Sequence, residues 1–195
     1  MHYPNTLTSS ALFRATAIAF VVTMGAVAAT PSFAERTVTV GGAPMYPSKN
    51  IIENAVNSAD HTTLVAAVKA AGLVETLQGP GPFTVFAPTN EAFAALPAGT
   101  VDTLLKPENK PALTKVLTYH VVAGKMDSAA LLKAIDAGGG MATLTEVSGG
   151  TLTASRSGPM IMLSDESGGM AHVTIPDDVQ SNGVIHVVDK VLLPK

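Results

Sequence analysis

The chain has 195 residues with 12 basic and 15 acidic side chains, and it contains neither cysteine nor tryptophan. Without cysteine there is no disulfide, thioether haem link, thiolate metal site or cysteine nucleophile. The mildly acidic balance, with no basic patch, excludes a surface that neutralises nucleic-acid phosphates, and the few aromatic residues leave little material for stacking sugars or single strands.

The first segment reads as an export signal. Met1 to Arg14 is polar, Ala15 to Ala29 is almost wholly apolar, and Ser32-Phe33-Ala34 offers small side chains where a signal peptidase reads. The apolar run is shorter than the ~20 residues a spanning helix needs, so cleavage after Ala34 is predicted rather than an anchor. Removal takes away one charged residue, Arg14, and leaves about 160 residues, one domain's worth of chain. The remainder carries no second long apolar run, so no membrane insertion is expected after processing. A periplasmic or secreted address follows, and the oligomeric state is open.

Residues 35–49, with Gly41-Gly42, Pro44 and Pro47, predict an extended leader laid over the surface, and a domain over 50–195. A helical half comes next. Asn50 and Glu53 form a capping-box pattern. Asp60 is placed to cap a helix carrying Leu64, Val65, Val68 and Ala71 on one face, with Gly72 as its stop. Phe83-Thr84-Val85-Phe86 reads as a buried strand ending at Pro88. Thr89 or Asn90 caps the following helix, which has Glu91 in its first turn. Further helices are expected from Thr100, near Pro111 through His120, and from a Ser128 cap to Gly138.

After Gly140 the pattern changes to short β-type runs: Ala142–Val147, Thr151–Ser155, Met160–Leu163, His172–Ile175 and Val184–Leu193. Turn residues separate them, and the Asn182-Gly183 pair, which tolerates positive φ, marks a hairpin. The class is α+β, helices packed on an antiparallel sheet structure.

Three stretches then resemble a known family. Phe83-Thr84-Val85-Phe86-Ala87-Pro88-Thr89-Asn90-Glu91-Ala92-Phe93 is similar to the first signature box of fasciclin domains. Asn182 to Pro194 is similar to the second, and Leu117-Thr118-Tyr119-His120-Val121-Val122-Ala123-Gly124 resembles the family's tyrosine–histidine motif. All three stand in the family's order, covering roughly Asn50 to Leu193. The resemblance implies a fasciclin-like, wedge-shaped antiparallel β-sandwich with several helices packed against it. It also implies a non-enzymatic adhesion role outside cells, toward a cell-surface protein or polysaccharide, without a cofactor.

Within that frame Phe83, Thr84, Pro88, Thr89 and Asn90 read as a strand–turn–helix corner, and Asn182, Gly183 and His186 as a core hairpin and a hydrogen-bonded core histidine. Tyr119 and His120 are the pair the family links to adhesion, and equally a corner needing buried partners. Integrin-binding relatives carry an Asp-Ile pair before the second box. Asp177 matches that aspartate, but Asp178 stands in place of the isoleucine, so Asp177-Asp178 reads as a solvated turn. Tyr119, His120, Asp177, Asp178 and Val179 are the candidate contact residues. Enzyme readings lack support: His61, His120, His172 and His186 show no metal-ligand spacing, and no Gly-x-Ser-x-Gly elbow is present. Asp165-Glu166 offers two carboxylates in a loop, a weak calcium candidate without nameable further ligands. The alternative function is a periplasmic carrier of a small or hydrophobic ligand, which demands an enclosed apolar pocket of ~300 Å3 or more.

Overall fold

The computed structural model describes residues 37–195, so the export segment and its cleavage site lie outside the described residues. Strands β1 (Val38–Val40) and β2 (Ala43–Met45) pair antiparallel. Helices α1 (Ile51–Ala55), α2 (Thr62–Ala71) and α3 (Val74–Gln78) lead into β3 (Phe83–Pro88). Helices α4 (Asn90–Ala94), α5 (Thr100–Leu104) and α6 (Lys110–Tyr119) precede β4 (Val121–Ala123). Helix α7 (Ser128–Ala137) then opens onto β5 (Met141–Thr145), β6 (Thr151–Ser157), β7 (Met160–Ser164), β8 (Met170–Gln180) and β9 (Gly183–Val188).

Seven strands form one sheet in the order β4-β3-β9-β8-β7-β6-β5. Every pairing in it is antiparallel except β3 with β9. A bridge from Val122 to Glu146, with the Val147 amide on the Val121 carbonyl at 2.8 Å, ties the β4 edge to the end of β5, so the sheet curls almost closed.

The hydrophobic patterns of the strands report their place. Strands β5 to β7 alternate buried and exposed residues, as a sheet with one wet face must. Strand β9 is buried at all of its positions because both its faces are covered. On one side Phe86 and Val188 join Leu131, Ile135, Leu152 and Leu163. On the other, Val85, Ala87 and Ile185 join α1, α2 and α6 through Ile51, Leu64, Val68 and Leu117. Two cores thus share the parallel β3–β9 pair as a common wall.

Residues 35–49 are expected as an extended leader over the surface. In the described part of that stretch the chain doubles back instead. Val40 and Met45 of the β1–β2 hairpin are buried against Val187, and the Lys49 carbonyl accepts the Ser181 amide at 2.9 Å. The Gly41-Gly42 pair forms the turn of this hairpin.

Helix ends show the same long-range logic. The Asn50–Glu53 capping box forms as expected, and Thr89 caps α4 through the Ala92 amide at 3.2 Å. Asp60 does not cap α2. That task falls to Asn90, whose Oδ1 accepts from the Thr63 amide at 3.0 Å and the Thr62 hydroxyl at 3.1 Å, while its Nδ2 donates to the Ala59 carbonyl at 2.8 Å. Ser128 is not the cap of α7 either. Asp127 is, through the Ala130 amide at 2.8 Å.

Candidate functional site

Tyr119 and His120 close α6 and turn the chain into β4, which puts both inside the molecule. Tyr119 is fully buried; its hydroxyl donates to the Thr151 carbonyl at 2.8 Å and accepts from the Glu166 amide at 3.1 Å. Burial, reinforced by the carboxylates of Glu146, Glu166 and Asp165, pushes the phenol up to about 12. His120 donates from Nδ1 to the Val116 carbonyl at 2.8 Å and accepts the Leu192 amide on Nε2 at 3.0 Å. Burial holds its imidazole down at about 4, so it is neutral at physiological pH. These bonds fix the tautomer and tie α6 to the C-terminal segment. Neither ring is available to a partner at the surface.

Asp177 and Asp178 are not a solvated turn. Both lie in β8, whose pairing with β9 shifts between Val173 and Ile175 and again, at a second bulge, between Ile175 and Asp178. This bulge carries Asp177 at a φ of 60°, a left-handed conformation that aspartate tolerates better than most residues. Across these shifts the set of inward-facing side chains changes. Before the bulge Ala171 and Val173 point to the core; after it Asp178 and Gln180 do. Asp177 spends its carboxylate on the N-terminus of α7, accepting the Ser128 amide at 2.6 Å and the Ser128 hydroxyl. The positive end of the helix dipole favours this charge. Val179, half-buried, pairs with Val184 in the ladder.

Asp178 is 2% exposed and faces a cavity of about 40 Å3 between the β1–β2 hairpin and helices α1 and α2. The walls are apolar, with Ile52, Leu64, Val68 and Ile185 among them, yet His61 and Ser58 also line it. Two buried polar atoms there have no hydrogen-bond partner, Asp178 Oδ1 and His61 Nε2. Burial pushes the Asp178 carboxyl up to about 7, with the Gln180 side chain opposing. Burial lowers His61, against the Ala87 carbonyl and Asp60, while its Nδ1 stays on the Ser58 hydroxyl at 2.9 Å. Elsewhere Glu146, buried under the β4–β5 junction, is pushed up to about 7 by burial, against the Ser148 hydroxyl bond.

The two boxes build a frame. Thr84, buried in β3, donates from Oγ1 to the Gly124 carbonyl at 2.7 Å and accepts the Met126 amide at 2.9 Å. Phe83 packs on the helical core, and Pro88 pairs with Val188 at the end of the parallel ladder. His186 bonds the Met126 carbonyl through Nε2 at 2.8 Å, stacks on Phe86 and is held below the usual histidine range by burial. Asn182 receives the Ile51 amide on Oδ1 at 3.1 Å and donates from Nδ2 to the Leu77 and Gly79 carbonyls at 2.7 and 2.9 Å. The hairpin turns at Ser181-Asn182 without a positive φ at either Asn182 or Gly183. Gly183 is needed for proximity instead: a Cβ there would lie 2.2 Å from the Phe83 carbonyl oxygen.

Two further polar residues escape a linear reading. Asn54, fully buried, accepts the Tyr46 amide at 3.0 Å, donates to the Tyr46 carbonyl at 2.8 Å and bonds the Gln180 side chain. It stitches the end of the hairpin segment to β8. The capping-box position of α1 was the only local signal near it. The Asp165 and Glu166 carboxylates are occupied by backbone amides of the loop, of β6 and of the C-terminal segment. Asp165 accepts the Ser167, Gly169 and Leu193 amides at 2.9, 2.6 and 2.9 Å, and Glu166 accepts the Thr151 amide at 3.1 Å. Among the described residues no group of three or more His, Asp or Glu side chains is arranged to hold a metal ion.

Comparison with known proteins bears on this frame. The family model for the fasciclin domain matches residues 59–194. Protein sll1483 of Synechocystis is 46% identical over 82% of this chain and 82% of its own length. A second Synechocystis protein, sll1735, is 45% identical over 74% of this chain and 97% of its own. Immunogenic protein MPB70 of Mycobacterium bovis is 35% identical over 72% of this chain and 66% of its own. Among solved structures, a FAS1 domain pair from the insect cell adhesion molecule fasciclin I superposes with a TM-score of 0.68 at 16% identity, covering 76% of this chain and 52% of that one. The matched span includes both boxes and the Tyr119-His120 corner, and the chain belongs to the fasciclin domain family.

Proposed function

We propose that this protein is an exported, non-enzymatic surface-interaction module that adheres to a cell-surface protein or polysaccharide. The observation that carries the reading is where its chemistry-bearing side chains go. Tyr119, His120, Asn182 and His186 direct their polar atoms at the protein's own backbone. The shifted groups sit apart: Asp178 and His61 at one enclosed cavity, Glu146 and Tyr119 in the other half of the molecule. A catalytic site brings such groups together at an open cleft; here they hold a rigid frame whose exterior remains for contact. The adhesion-molecule setting of the fasciclin I domain pair agrees with this role. The carrier alternative needs ~300 Å3, and the enclosed cavity at Asp178 is about 40 Å3.

The test is cross-linking of the processed chain to whole cells, untreated or pretreated with protease or with glycosidases. Saturable capture, abolished by one pretreatment, is expected and assigns the partner's class. Absence of saturable capture, with cell attachment unchanged when the gene is deleted, overturns the reading.

A further inference from the structure

The outward face of β7 and β8 carries side chains that neither core uses. Leu163, Ala171 and Val173 point inward, so their strand neighbours Met162, Met170 and His172 point out. The register places Met162 directly opposite His172 and Ser164 opposite Met170, so Met162 and Met170 are diagonal neighbours. Direct cross-strand Cβ atoms are about 4.5–5.5 Å apart and diagonal ones about 7–8 Å. That separation lies within reach of two unbranched methionine side chains. Met170 is 52% exposed and Met160, two residues from Met162 along β7, is 46% exposed. At that exposure each thioether keeps a large part of its surface open to a ligand.

His172 is held in the way a metal ligand is held. Its Nδ1 lies 3.2 Å from Asp189 Oδ2, and its backbone amide donates to Asp189 Oδ1 at 2.7 Å. With Asp189 on the Nδ1 side of the ring, Nε2 is the nitrogen left to meet a ligand, the arrangement that orients imidazoles at metal centres. The donor set is two thioethers and one imidazole, with no carboxylate or thiolate in it. Thioether sulfur is soft and selects Cu(I) over zinc, calcium or magnesium. A thioether has no proton to lose, so it binds without paying for deprotonation. In a chain with no cysteine, methionine is the soft donor available.

We propose that Met162, Met170 and His172 form a surface site for one monovalent soft metal ion, Cu(I), with Asp189 as the positioning residue for His172 and Met160 as a candidate fourth ligand. The site is independent of the adhesion reading; either holds without the other.

The test uses the processed protein labelled at its methionine methyl groups and titrated with Ag(I), the redox-inert stand-in, in chloride-free buffer, followed by competition for Cu(I) against a chromophoric chelator. The expected result is one equivalent bound, with the Met162 and Met170 methyl signals shifting while those of buried Met45 and of Met141, two strands away, do not. The double variant Met162→Leu/Met170→Leu should lose at least tenfold in affinity with an unchanged circular dichroism spectrum, and Asp189→Asn should weaken binding about tenfold. Met141→Leu should leave binding intact. Equal shifts at Met141 and Met170, or unaltered affinity in the double variant, would overturn the site, as would no binding at stoichiometric metal.

Discussion

Replacing Asp178 with asparagine isolates the cost of one buried carboxyl. The folded protein holds this group at about 7, against an ordinary value of 3.8, because burial penalises the anion. Its Oδ1 has no partner to offset that penalty. A folded value above the unfolded one means that the native state binds the proton more tightly. Stability is then greatest below the unfolded value, falls as pH rises from about 4 to about 7, and is level beyond. Each pH unit in that window is worth 1.36 kcal/mol, so the wild type forfeits up to about 4 kcal/mol, and about 2 kcal/mol if the site relaxes around the anion. Asparagine has nearly the same shape and does not ionise. Urea unfolding of wild type and Asp178→Asn at pH 4.5 and pH 8 reads the difference, in which the titration of His61, His120 and His186 cancels. The two should be close in stability at pH 4.5, and the variant should be more stable at pH 8. A difference that does not change with pH, or a variant less stable than wild type at pH 8, would refute the burial argument.

His120→Phe strands the Val116 carbonyl and the Leu192 amide and should cost about 2–4 kcal/mol at pH 7 in urea unfolding. Because the folded imidazole sits near 4, below its ordinary 6.5, the wild type loses stability as pH falls through that window, and its advantage over the variant should shrink there by up to about 3 kcal/mol. Asn182→Ala removes three bonds to the ends of α1 and α3 and should cost about 2–4 kcal/mol, with hydrogen-exchange protection lost first at Ile51. Gly183→Ala drives a methyl into the Phe83 carbonyl and should cost about 3 kcal/mol or more, read as a fall in Tm or in soluble yield.

What the linear chain discloses follows from the range of the interaction. The alternation in β5, β6 and β7 and the largely apolar run of β9, interrupted only by His186, are local consequences of one or two covered faces, and both are readable as strands. Pairing is not local. A β-like run does not state its neighbour, so the parallel β3–β9 pair in an otherwise antiparallel sheet is visible only once the helices between them are in place. Asp178 shows the same limit. Two acidic residues after a proline carry every mark of a wet turn, yet the two register shifts of β8 against β9 leave one of them buried. The buried Asn54–Gln180 contact spans most of the domain, and nothing near either residue announces it.

The capping residues connect these failures to the family resemblance. Helix α2 is capped by Asn90 from the first box, and the start of α7 is held by Asp177 from β8 as well as by its own Asp127. Asn182 from the second box binds the start of α1 and the end of α3. A cap supplied from a distant part of the chain forms only when the tertiary structure does, so these helix ends depend on the fold as well as on their own local caps. Short helices of five residues, such as α1 and α3, have little stability alone, and this conditional capping supplies what propensity does not. The boxes therefore read as the joints at which a helical layer is fastened to a sheet. Adhesion, on this account, depends on the outer surface that the frame presents. Substitutions at Asn90, Asp177 or Asn182 should lower stability first and affect attachment only through it, whereas a change at a true contact residue would weaken capture on cells and leave the urea midpoint unmoved.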